Sequence, residues 1–370
     1  MRKEDWALVE QAFLEACDAD DERQRAVRKS FASQHPALVP VLDDLLRGHT
    51  AGTSFFTSLG EKCVTRGEGE LASWITSHLG GYALGEFLGS GSMGVVLKGR
   101  KPGLERDVAI KVLAPSLGGH DKLADRFRVE IAACSRLAHP GIVTVLDAGE
   151  DRGLLWFAME LVLGGDLQGR IRSWGEKPAS RPSAETLAVM GASVARGLHH
   201  AHIHGVLHRD VKPSNILVDE ASSSGRLIDF GLARLIDGEG LTLSGETMGT
   251  PRYMSPEQVR ASRSGVDHRT DVYSLGVVLF EAISGEAPFQ GRSPHEILMA
   301  IAAEEARPLR ELVPDVPVGL AAIVNRALVR DPSKRFQTAL EFAEDLERFA
   351  RNERTVTRPP VVALPRWLAR

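Results

Sequence analysis

The sequence has little sulfur and no long apolar run. Three cysteines, Cys17, Cys63 and Cys134, are scattered over 370 residues. Their odd number and wide spacing exclude a disulfide framework and fit a reducing compartment. No segment approaches the ~18 consecutive apolar residues that mark a membrane-crossing helix, so no membrane span is expected. The N-terminus, Met-Arg-Lys-Glu-Asp-Trp, leads into acidic residues and lacks the apolar core of a signal peptide. The formal net charge is −4, so nothing marks the whole chain as a nucleic-acid binder. These absences predict a cytoplasmic protein with no nucleic-acid partner. What is present is an ordinary globular balance, 43% hydrophobic and 25% charged, able to bury a sizeable core. The length leaves room for more than one domain.

Residues 1–50 read as a helical region. Trp6, Val9, Phe13 and Ala16 fall at helical spacing; Val27 and Phe31 continue the pattern after an acidic break at 18–22. Leu38, Val41, Leu42, Leu45 and Leu46 form a further stripe, begun by Pro36 and ended near Gly48. Such a region either packs on its own chain or docks a partner, and the stripes fit both. Residues 51–80 are rich in Gly, Ser and Thr and read as a linker. Strands are expected at 82–88 and 95–100 around the run Gly89-Ser90-Gly91-Ser92-Met93-Gly94, and at 108–111, 142–146 and 154–162. A helix over 121–138 carries Leu123, Phe127, Ile131, Cys134 and Leu137 on one face, with Glu130 beside them. Gly164 and Gly165 break the chain, and 173–183 reads as a polar loop. A long helix follows at 183–204, and short strands at 215–219 and 226–229. A helix apolar nearly all round is expected at 271–284. Helical patterns run to about 350, and 351–370, with its prolines and arginines, is expected to be a disordered tail.

The centre of the chain is 208–215, His-Arg-Asp-Val-Lys-Pro-Ser-Asn. Asp210 can accept a proton from a hydroxyl. Lys212 can neutralise a phosphate. Asn215 can offer an amide oxygen to a hard cation, which takes oxygen ligands. Asp229, before Phe230 and Gly231, is a second carboxylate placed to hold a cation. Glycines at 89, 91 and 94 let backbone N–H groups approach phosphate oxygens, although the same pattern alone is often only a hairpin. Lys111 alone would be a solvated strand lysine, and Glu130 alone a solvated helix residue. His199, His200, His202, His204 and His208 do not have zinc-ligand spacing; they are expected at a helix end packed beneath 208–215.

Taken together and in order, the glycine run, Val108–Lys111, Glu130, 208–215, 229–231, Ser255-Pro256-Glu257 and Asp271 resemble the eukaryotic-type (Hanks-type) protein kinase domain, in particular the bacterial Ser/Thr kinases. The resemblance implies an α+β, bilobal protein-kinase fold over 81–350. Its N-lobe would be a small antiparallel sheet with one helix, its C-lobe larger and helical. It implies ATP and Mg²⁺, with Mn²⁺ as a substitute, and protein substrates with Ser/Thr acceptors. Leu88, Gly89, Ser90, Gly91, Ser92, Met93, Gly94, Val96 and Ala109 would line the ATP site with Met159, Glu160, Val162 and Leu217, and Asp166 would meet the ribose. Lys111 would bind the α/β-phosphates and pair with Glu130. Asn215 and Asp229 would hold the metal. Asp210 would deprotonate the acceptor hydroxyl and Lys212 stabilise the γ-phosphate. Ser255 stands where alanine is commoner, leaving Glu257 free to pair with Arg335.

The same resemblance implies an activation switch. Arg209, Arg126 and Arg234 would gather around a phosphate on the 232–248 segment, at Thr242 and Ser244, with Thr247 the weaker acceptor. Thr250 would be a structural contact to Asp210 and Lys212. Trans-autophosphorylation would involve a homodimer. The tail at 358–370 looks like a juxtamembrane segment, so a native chain continuing past Arg370 would be membrane-associated. Two rivals, a pseudokinase scaffold and a small-molecule kinase of related fold, meet objections in the intact Lys111, Asp210, Asn215 and Asp229 and in the Gly249–Glu257 elements.

Overall fold

A computed structural model describes residues 21–35, 38–39, 78–91, 94–103, 106–113, 127, 129, 131–219, 222–230, 251–260 and 266–357. Ahead of the main body, helix α1 (Asp21–Gln34) takes in the end of the acidic stretch expected to be a break and carries Val27 and Phe31. Apart from residues 35, 38 and 39, the remainder of the N-terminal region lies outside the described residues, as does the 51–77 part of the expected linker.

The chain divides into two compact units. The first is built on six antiparallel strands: β1 (His78–Leu79), β2 (Tyr82–Gly91), β3 (Gly94–Arg100), β4 (Asp107–Leu113), β5 (Val145–Asp151) and β6 (Leu154–Glu160), ordered β1-β2-β3-β4-β6-β5. Side chains alternate across a strand, and here the alternation separates core from site. Val95, Leu97, Ile110, Val112, Trp156 and Ala158 face one way into a buried cluster with Leu79 and Tyr82. Val96, Lys111 and Phe157 are register partners, as are Ala109 and Met159, and all point to the other face. Phe127 packs on that face, its ring centroid 6.4 Å from that of Phe157. The sheet curls until its two edges meet. Asp151 on β5 accepts the Gly80 N–H at 3.0 Å, and Asp147 accepts the Tyr82 hydroxyl at 3.1 Å.

The second unit is helical: α2 (Leu167–Glu176), α3 (Ala184–Ile203), α4 (Pro256–Val259), α5 (Arg269–Ser284), α6 (Pro294–Ala303), α7 (Leu309–Leu312), α8 (Val318–Ala327) and α9 (Ala339–Ala350), with a small hairpin of β7 (Ile216–Val218) and β8 (Gly225–Leu227). Helix α5 is buried on every side from Thr270 to Ile283, as its composition predicts. Helix α2 follows the expected break at Gly164 and Gly165 and runs into the start of the polar loop expected at 173–183. Its signal was present: Asp166 caps it, its side chain accepting the Gly169 N–H at 2.7 Å, and Leu167, Ile171 and Trp174 form its buried stripe.

The expected disordered tail from 351 needs correction in its first part. Arg351–Thr357 runs back onto its own unit. The buried Asp345 accepts the backbone N–H of Val356 at 2.5 Å and of Thr357 at 2.9 Å. Arg326, stacked 4.1 Å over Phe336, donates to the Thr357 hydroxyl at 3.1 Å. A carboxylate paired with two backbone donors outweighs the poor helix- and strand-forming character of the segment. Residues 358–370 lie outside the described residues.

Candidate active site

In the second unit, the segment from His208 to Asn215 enters with Arg209 at φ 63, a left-handed conformation that costs a non-glycine residue about 1 kcal/mol or more. Asp271, on the first turn of α5 and 1% exposed, holds it there. One oxygen of this carboxylate accepts the Arg209 N–H at 2.7 Å; the other accepts the His208 N–H at 2.9 Å and lies 2.8 Å from His202 Nε2. Burial pushes the Asp271 carboxyl up. The hydrogen bonds from His202 and from the His208 N–H outweigh that and hold it below the usual carboxylate range.

His208 is itself fixed at both ring nitrogens. Nε2 lies 2.9 Å from the Ile228 carbonyl, and Nδ1 accepts the Asp210 N–H at 3.3 Å. These two bonds select the Nε2–H tautomer. The ring also packs on Phe230, centroids 4.6 Å apart. The histidine-rich end of α3 thus lies beneath the segment through His202, as expected.

Asp210 Oδ2 receives Lys212 Nζ at 2.7 Å and Asn215 Nδ2 at 3.1 Å. Asn215 Nδ2 also donates to the Asp210 carbonyl at 2.9 Å. Proline at 213 starts a short 3-10 turn that brings Asn215 back toward Asp210. The hairpin then places the two expected metal ligands together. Ile216 pairs with Leu227, and the Ile228 N–H donates to the Asn215 carbonyl at 3.0 Å, so Asp229 follows at the same end as Asn215. Asp229 has φ 62. With the amide nitrogen of Asn215 committed to Asp210, its Oδ1 is the atom left to meet a cation. An amide oxygen beside a carboxylate suits a hard divalent ion. Asp166 and Leu217 are bridge partners in the same unit, and Val162 precedes Asp166 closely in the chain.

In the first unit Val96, Ala109, Lys111 and Met159 share the non-core face; Lys111 is 7% exposed there. Glu160 ends β6 opposite Val108, and Leu88 is exposed. Gly94, at φ 147, must be glycine because a Cβ would strike the Val112 carbonyl. A Cβ on Gly89 would meet no protein atom within 4 Å. Among the described residues nothing stands against that position, so the backbone of Gly89 is open there. The side chain of Ser90, and Ser92, Met93, Glu130, Arg126, Gly231, Arg234, Thr242, Ser244, Thr247 and Thr250, lie outside the described residues.

Further along, Glu257 and Arg335 form the expected ion pair, bidentate at 2.7 and 2.8 Å with Arg335 buried. Burial pushes the Glu257 carboxyl up, but the Arg335 guanidinium holds it below its ordinary value. Sequence reasoning counted Asp271 as a signal without seeing its role. It passed over Gln258, whose Nε2 donates to the Arg209 carbonyl at 3.0 Å. The pattern Ser255-x-x-Gln258 is a capping box and could have drawn notice.

Residues 82–345 match the protein kinase domain family. The chain is 36% identical over 271 residues to a probable serine/threonine-protein kinase of Clostridium perfringens, covering 73% of this chain and 38% of that protein. It is 38% identical over 284 residues to the serine/threonine-protein kinase PknB of Mycobacterium tuberculosis, covering 75% and 44%. The chain thus spans about two fifths of the length of these curated relatives. The crystal structure of the Mycobacterium tuberculosis PknI kinase domain is matched at a TM-score of 0.58 and 31% identity, over 76% of this chain and all of that one. The chain belongs to the protein kinase family, with the bilobal α+β fold and the sequence character of the bacterial Ser/Thr branch.

Proposed function

We propose that this chain is an active kinase that transfers the γ-phosphate of ATP, with Mg²⁺ or in its place Mn²⁺, to Ser and Thr hydroxyls of proteins. The observation that carries the reading is Asp210, whose Oδ2 is held by Lys212 at 2.7 Å and Asn215 at 3.1 Å. That leaves Oδ1 to accept a hydrogen bond from the acceptor hydroxyl. As the hydroxyl oxygen bonds to the γ-phosphorus, its proton passes to Asp210 and the bond to the β-phosphate oxygen breaks, releasing ADP. Lys212 neutralises charge on the phosphoryl group in transfer, and Lys111, paired with Glu130, orients the α/β-phosphates. Asn215 and Asp229 are suited to hold the divalent ion, which supplies charge neutralisation at the phosphates. Asp166, Leu217, Val162, Glu160, Met159, Ala109, Val96 and the glycine run would position the nucleotide.

The same reading includes autophosphorylation of Thr242 and Ser244, with Thr247 a lesser acceptor, in trans within a homodimer. It places the domain in the cytoplasm; no helix among the described residues is long and apolar enough to cross a membrane. Incubation of the chain with labelled ATP, Mg²⁺ and a generic basic protein, followed by phosphosite mapping, tests it. Label on Ser/Thr of the protein, and on Thr242 and Ser244 of the kinase, is the expected result. Asp210→Asn and Lys111→Ala should each abolish most transfer while the fold persists. A pseudokinase or a small-molecule kinase would leave protein unlabelled, and near wild-type turnover in either variant would overturn the catalytic assignment.

A further inference from the structure

The peptide that joins Arg209 to Asp210 sits next to a left-handed residue, and its orientation decides where the Asp210 carboxylate points. Asp271 holds the N–H on the preceding peptide at 2.7 Å. The N–H of the Arg209–Asp210 peptide itself donates to His208 Nδ1. Its carbonyl is held from another element altogether. Gln258, on α4 and 49 residues away, donates Nε2–H to Arg209 O at 3.0 Å.

The other half of the same amide is also engaged. Gln258 Oε1 accepts the Ser255 N–H at 2.9 Å, and Ser255 Oγ accepts the Gln258 N–H at 3.4 Å, closing a capping box. Glutamate would serve that box equally well, since either residue can accept at this position. Only glutamine adds a donor for the Arg209 carbonyl. The amide is therefore divided: its oxygen caps α4, and its nitrogen reaches the segment that carries the proposed base.

We propose that Gln258 is a positioning residue for phosphotransfer: its Nε2–H fixes the Arg209 carbonyl and, through that peptide, the aim of Asp210. The inference rests on the kinase reading above. It ties the Ser255-Pro256-Glu257 element to the catalytic segment by a bond that Asp271 does not supply, so displacement of α4 would turn the peptide carrying Asp210.

Gln258→Glu in the full chain separates the two halves of the amide. The carboxylate keeps the cap on Ser255 and sets a lone pair against the Arg209 carbonyl, where a donor stood. At pH 8 the variant should keep its KM for ATP, while kcat on a generic protein substrate falls about tenfold, the scale of one hydrogen bond lost to a repulsive contact. Protonating the introduced carboxyl restores an O–H donor, so the ratio of variant to wild-type kcat should climb as the pH is lowered from 8 toward 5, nearing the ordinary glutamate value of about 4.3. A structural role confined to the cap predicts no such climb. A ratio that does not move with pH overturns the proposal. Should this variant fail to fold, Gln258→Met, which keeps the side-chain length without the amide, should show the drop in kcat at unchanged KM for ATP, and wild-type kcat in it overturns the proposal. A wild-type chain with no transfer at all would instead defeat the kinase reading, so the two failures are distinct.

Discussion

Asp271 and Arg209 lie 62 residues apart in the chain and 2.7 Å apart in the fold, carboxylate oxygen to backbone N–H. The His208–Asn215 segment is thereby fastened to α5, a helix buried from Thr270 to Ile283. Asp271→Asn keeps the shape but turns one acceptor into an NH₂ that faces an N–H. Leaving a buried donor unsatisfied costs about 1–3 kcal/mol. We expect kcat to fall at least tenfold, with a lower thermal midpoint, measured by steady-state kinetics and thermal denaturation. Undiminished turnover would show that the clamp does not position Asp210.

Glu257 and Arg335 support the same region from below. Removing one member of a buried pair strands the other, at about 3–5 kcal/mol. Arg335→Met should therefore destabilise the chain far more than any exposed arginine change, read by urea unfolding. The pH dependence has a definite sign. The folded Glu257 and Asp271 carboxyls both lie below their ordinary values. Their contribution is full above the ordinary carboxylate range and is lost as pH falls below it toward the folded values. Stability of the wild type should drop steeply there, and less steeply in Arg335→Met.

Asp345 is the anchor of the segment that follows α9. Asp345→Ala orphans the Val356 and Thr357 N–H groups, and a chain cut after Ala350 exposes the Asp345 carboxylate. Each should lower stability by about 2 kcal/mol, seen as a lower thermal midpoint. An unchanged midpoint in both would mean the segment is not held in solution.

All three tyrosines of the chain resist ionisation. Tyr82 is pushed up to about 12 by burial and by its bond to Asp147. Tyr253, buried beside Glu281, and Tyr273, buried on α5, are pushed higher still. A raised phenol stabilises the fold fully below its unfolded value near 10, and that contribution is lost as pH rises through the folded value. The native protein should show almost no phenolate absorbance on passing pH 10, and Tyr82→Phe should remove the first phenol to titrate, near pH 12. Phenolate rising at pH 10 before unfolding would contradict these environments.

Much of this was legible in the linear sequence, for one physical reason. Where the proposed chemistry needs several groups within one loop, the chain must carry them at short spacing, as with Asp210, Lys212 and Asn215. Likewise the two-residue alternation of 94–113 already separates the core residues Val95, Leu97, Ile110 and Val112 from Val96, Ala109 and Lys111. Helix α5 announced its burial by being apolar on all sides. Tertiary structure alone decided which polar groups on distant elements meet. The carboxylate of Asp271 reads the same in sequence whether it faces water or two backbone N–H groups; Gln258 reads as a helix cap until its nitrogen is seen at Arg209. The tail at 351–357 looks too polar and too proline-adjacent to order itself, and it does not: Asp345 and Arg326 order it from elsewhere in the fold. A sequence displays local periodicity and local chemistry. A hydrogen bond between residues 49 or 62 positions apart forms only once packing has put donor and acceptor within 3 Å.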